Sequence, residues 1–61
     1  MMHVTTISPI YDHGSVRILR DDHFSFSVCE CEYEEFEQMC ESWELLCYAL
    51  GITMNTPVIF R

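Results

Sequence analysis

Four cysteines and three histidines carry the most specific chemistry this sequence has to offer. Cys29, Cys31, Cys40 and Cys47 are the donors a zinc site would use, but their spacing works against one. Cys29-Glu30-Cys31 is short for a metal knuckle. On a continuous helix, Cys40 and Cys47 would lie about 10.5 Å apart along the axis, whereas a tetrahedral zinc site holds its sulfurs within about 4 Å of one another. Cys40 and Cys47 therefore read as small apolar core residues. His3, His13 and His23 fall in the N-terminal segment and two turns, without metal-ligand spacing. A Cys/His nucleophile would lack both an orienting third group and an oxyanion site. The expectation is a non-enzymatic chain with no cofactor. One alternative from another class remains: a metal-binding or redox-sensing mini-domain using Cys29 and Cys31 with a third thiol.

The acidic residues form the other chemical group. Ten acids stand against three arginines and no lysine, for a formal net charge of −7. Direct nucleic-acid binding needs clustered Lys and Arg to neutralise phosphates, so it is excluded as an expectation. Attraction to an anionic membrane surface fails for the same reason, and no apolar run reaches the eighteen or so residues that span a bilayer. The start of the chain lacks the basic and apolar regions of a secretory signal. A cytoplasmic setting with reduced thiols is expected, and the electrostatically fitting partner is a basic protein surface.

Residues 31–51 position most of these groups. Tyr33, Phe36, Met39, Cys40, Trp43, Leu46, Cys47 and Leu50 recur at three- and four-residue steps, which predicts an amphipathic helix over about 32–50. Glu30, Glu32, Glu34 and Glu35 crowd its positive end. Leu50-Gly51-Ile52 fits a glycine just past the end in the left-handed conformation. Glu34, Glu37, Glu41 and Glu44 make an acidic stripe on the other side, with Leu45 and Tyr48 beside it. From Trp43 onward the helix is apolar nearly all round, the pattern of a helix buried on both sides.

The remaining residues predict strands at about 2–10, 15–20 and 24–29 and a short one at about 57–60. Pro9 points to an edge strand or a strand with a bulge, and Pro57 to an edge position. Residues 11–15 and 20–23 are the turns. Alternation places Val16 and Ile18 on one face of the hairpin, and Ser25, Ser27 and Cys29 on a polar face. The fold class is α+β: a small antiparallel β-sheet of three to four short strands packed on one amphipathic α-helix, as a single domain over 1–61. A chain this short buries only about 60% of its unfolded surface, so a homodimer is expected.

In length, strand-rich N-terminus and the Glu32-Tyr33-Glu34-Glu35-Phe36-Glu37 opening of the helix, the chain resembles the short acidic accessory proteins of temperate, lambdoid phages. That resemblance implies an interaction role, binding and redirecting a host protein in the host cytoplasm; no functional residues carry over from it. The combined expectation is a protein–protein interaction module that binds itself and a basic partner through Glu34, Glu37, Glu41, Glu44, Leu45 and Tyr48. Such a ridge of carboxylates would act as a nucleic-acid-mimicking inhibitor.

Overall fold

Two positive-φ turns lay out the sheet. His13 (φ 48°) and Gly14 (φ 89°) make a two-residue loop with both residues left-handed, the mirror-image turn whose twist matches that of antiparallel strands. It joins β1 (Thr6–Asp12) to β2 (Ser15–Arg20). Asp21 (φ 54°) opens the second turn, and its Oδ1 accepts from the Thr6 amide at 2.8 Å while its own amide donates to the Thr6 carbonyl at 2.9 Å. The second turn leads into β3 (Phe24–Glu30), followed by α1 (Tyr33–Leu50), β4 (Thr53–Met54) and β5 (Val58–Phe60). This is a computed structural model; it describes residues 4–21 and 23–60, with the backbone alone at 24–26. Met2, His3 and Asp22, which the sequence reading placed in the first strand and the second turn, lie outside the described residues.

The sheet has five strands in the order β3-β2-β1-β4, with β5 also pairing β1. β1, β2 and β3 form an antiparallel meander. β4 and β5 both run parallel to β1 along its other side. The α+β class is therefore as expected. Three details differ: β1 begins at Thr6 and runs on through Tyr11 and Asp12, which the sequence assigns to the turn; the last two strands are parallel to β1; and β4 is an additional strand.

Pro9 reads in the sequence as the mark of an edge strand, yet β1 has neighbours on both sides. The hydrogen bonds explain how. The Thr5 and Ile7 carbonyls accept from Thr53 and Asn55, and the His13 amide donates to Phe60. Odd-numbered backbone groups of β1 thus face β4 and β5. Pro9 faces the gap between those two strands, where no N–H is required. Asn55 bridges the gap through its side chain, which donates to Ser8 Oγ at 2.8 Å.

A bulge corrects the expected faces of β3. Val16 is opposite Cys29 and Arg17 is opposite Ser27, leaving Val28 as the extra residue. One inserted residue reverses the alternation beyond it. Cys29 therefore leaves the polar face, where strict alternation puts it, and packs against the core, while Val28 is exposed.

That core is small: Tyr11, Val16 and Phe36, with Tyr33, Cys40, Trp43, Cys29 and Cys31 packed round it. Phe36, only 1% exposed, is the helix's anchor. Its ring lies 5.2 Å from Tyr11, 6.4 Å from Tyr33 and 6.5 Å from Trp43. Tyr11 donates its hydroxyl to the Cys31 carbonyl at 2.9 Å, tying the start of the helix to the sheet. Glu32 is the N-cap residue but makes no side-chain capping bond. The far end closes as expected: Gly51 (φ 72°) lets the Ile52 amide reach the Cys47 carbonyl at 2.9 Å, which satisfies an orphan acceptor of the last turn.

Candidate functional site

The helix is anchored along only part of its length. An 18-residue helix is about 27 Å long, whereas strands of six or seven residues cover roughly 20 Å. Phe36 and Cys47 are its buried residues. Past Trp43, Leu45 is 75% exposed, Leu46 56%, Tyr48 90% and Leu50 63%. Helical periodicity assigns Leu46 and Leu50 to the core face, but the sheet does not cover them.

The six residues expected to bind a partner share a surface. Glu34, Glu37, Glu41 and Glu44 are all exposed. Among the described residues, no basic side chain forms an ion pair with any of them; the two charge contacts present are His13–Asp12 at 3.7 Å and Arg20–Asp21 at 4.0 Å. Glu41, Glu44, Leu45 and Tyr48 line one open hollow of about 450 Å³, so carboxylates and apolar groups do meet there. Glu34 and Glu37 lie further along the same stripe.

The fold adds residues that helical periodicity could not place. Pro57 and Ile59 share a hollow with Glu37, Cys40 and Glu41, and Glu44 shares another with Met54, Asn55, Thr56 and Pro57. Val58, Ile59 and Phe60 of β5 are themselves exposed. The acidic stripe is therefore flanked by an apolar strand on one side and by Leu45 and Tyr48 at its end. The only sign of this in the sequence is the apolar run from Pro57 to Phe60.

Of the thiols, Cys40 borders one of these hollows, and Cys29, Cys31 and Cys47 line none of them. All four cysteines are free. The Cys29 and Cys31 side chains are hydrogen-bonded to each other, and Cys31 is raised above its ordinary 9.0 by burial first, then by Cys29 and by the charges of Glu35 and Glu32. Burial also raises Cys40, with Glu37 adding to it, and burial alone raises Cys47. Thiols held in the neutral form are poor nucleophiles and poor metal ligands. Among the described residues, no group of three or more His, Cys, Asp or Glu side chains converges as a metal site would require. His13 and His23 are exposed in the two turns.

No helix among the described residues is long and apolar enough to cross a membrane. No family model, curated protein or solved structure matches this chain.

Proposed function

We propose that this chain is a small protein–protein interaction module, not an enzyme, whose acidic helix ridge engages a basic surface on another protein. The observation that carries the reading is the coincidence of unpaired Glu41 and Glu44 with the exposed Leu45 and Tyr48 around one hollow. Charge steers the encounter and sets which partners are rejected, while a desolvated aromatic anchor such as Tyr48 supplies most of the binding energy in interfaces of this kind. Either feature alone has an ordinary explanation, as a solvated helix face or as an isolated exposed side chain. Together, on a chain without lysine, they fit a partner that carries arginines or lysines round an apolar pocket.

The repeated negative charge gives the partner a narrower description. Glu34 and Glu44 are about 15 Å apart along the helix axis, a span over which carboxylates can stand in for successive phosphates. A partner groove that normally holds nucleic acid is the target this ridge suits best. The chain would then act in the cytoplasm as a competitor for that groove, in keeping with its resemblance to phage accessory proteins, and it would work as a homodimer.

The test uses the whole chain as bait in two forms, native and with both Glu37→Lys and Glu41→Lys, at low and high salt. The expected result is a protein retained by the native bait at low salt and lost from the reversed bait and at high salt. If both baits retain the same proteins in the same amounts, the acidic ridge is not a binding surface.

A further inference from the structure

The helix divides its exposed surface into two arcs of different chemistry. At 100° per residue, Glu34, Glu37, Glu41 and Glu44 centre on one side. Roughly 160° away, Met39, Ser42, Trp43, Leu46, Ala49 and Leu50 form an arc with no charged residue from Gln38 to the helix end. Leu46, Leu50, Ser42 and Ala49 are exposed along it, and Met39 and Trp43 are half-covered. Exposed Val28, turned outward by the bulge in β3, borders the N-terminal end of the arc across a hollow lined with Glu35, Gln38, Met39, Ser42 and Trp43, so Glu35 bounds the uncharged stretch. The acidic ridge does not use this arc.

We infer that this uncharged arc is the seam through which two copies of the chain associate, leaving the acidic ridge free in the dimer. The inference rests on the homodimer proposed above but assigns it a separate surface. Charge decides the occupant. Two chains of formal net charge −7 repel wherever they meet through glutamates, and the arc beyond Gln38 lets them meet with Glu35 as a carboxylate at its border only. A basic partner gains nothing electrostatic there. Area sets the strength: the exposed parts of Val28, Met39, Trp43, Leu46 and Leu50 amount to on the order of 400 Å² per protomer. Two copies would bury about 800 Å², short of the roughly 1,000 Å² of a stable specific interface. A seam of this size belongs to a weak dimer. In a two-fold arrangement the same patch meets itself, with small Ser42 and Ala49 on either side of Leu46 allowing the helices to approach closely.

Sedimentation equilibrium of the full chain tests this, over about 5 to 500 µM. The native chain should dimerise in that range, and more strongly as salt rises, because salt screens the repulsion between two acidic protomers. Leu46→Glu should weaken the dimer about 30-fold while leaving the far-ultraviolet helix signal intact, since Leu46 is not part of the buried core. Ala49→Arg, on the same arc and also exposed, repeats the test if the first variant does not fold. The Glu37→Lys, Glu41→Lys double variant should dimerise at least as well as the native chain. Loss of partner capture in that variant with the dimer intact separates the two surfaces. A native chain that stays monomeric to the top of the range overturns the inference. So does a dimer that survives both arc substitutions, or one that Tyr48→Lys dissociates while Leu46→Glu does not.

Discussion

Phe36→Ala should come close to unfolding the chain. Phe36 is 1% exposed and contacts three aromatic rings, on Tyr11, Tyr33 and Trp43. Truncating a buried phenylalanine costs about 3–5 kcal/mol, through lost transfer free energy and the cavity left behind. A domain of this length has a total stability of roughly 3–9 kcal/mol, at 0.05–0.15 kcal/mol per residue. The loss is therefore comparable with the whole. Leu45→Ala, on the same helix but with 75% of the side chain already in solvent, should change stability by less than about 0.5 kcal/mol. Urea unfolding followed by the fluorescence of Trp43 compares the two directly, because that single tryptophan sits 6.5 Å from the Phe36 ring. The alanine variant at position 36 should be largely unfolded without denaturant, and Phe36→Leu should fall between it and the native chain. A Phe36→Ala midpoint within error of the native one would refute the claim that this ring anchors the helix. All samples are compared at one protein concentration, since the proposed dimer would add its own stabilisation.

Two further outcomes follow from the backbone and from the thiols. Gly51→Ala should cost about 1–2 kcal/mol: its added Cβ meets nothing within 4 Å, so the left-handed φ of 72° is the whole penalty. Gly51→Asn, a residue that tolerates that conformation, should cost less, and equal losses for both would point to a packing role instead. Raised Cys31, Cys40 and Cys47 make stability fall in alkali. The folded state keeps these thiols protonated while the unfolded chain ionises them near 9, so their contribution is complete below that value and lost as pH rises through the folded values. A urea midpoint that stays flat between about pH 8 and pH 10 would contradict the burial assigned to these thiols.

How legible the fold is in the sequence depends on how local each cause is. β2 and the helix end rest on neighbours in sequence: alternation in Ser15–Arg20 and the left-handed Gly51. Both emerge with the bounds the sequence implies. β4 is two residues long and held by the Thr5 and Ile7 carbonyls, some 48 residues away in the chain, so no local pattern announces it. Pro9 does not mark an edge, since β1 lies between β2 on one side and β4 and β5 on the other; its missing donor is accommodated instead. The gap between β4 and β5 that accommodates it is created by the tertiary structure. The exchange of Val28 and Cys29 has a similar origin, since a bulge shifts register without altering composition. For the candidate site, helical period alone locates the four glutamates, Leu45 and Tyr48. Pro57 and Ile59 join them only because β5 returns alongside β1.

The exposure of Leu46 and Leu50 links these observations to assembly. Their periodicity belongs to a core, and the short sheet leaves them without one. A side chain left in solvent contributes little to holding a single chain folded, so the second half of the helix adds apolar surface without adding much monomer stability. Burial of that surface against a second copy would offset the deficit of a 61-residue domain, and the uncharged stretch beyond Glu35 lowers the electrostatic obstacle to it. Because the acidic ridge stands roughly 160° round the helix from the arc, such a dimer would carry two ridges facing outward. Two ridges on one particle would bind a paired or repeated basic surface more tightly than either could alone, provided the spacing of the sites matches. A helix longer than its sheet and divided lengthwise by charge would thus serve both tasks: one side would close the dimer, and the other would present the carboxylates in duplicate.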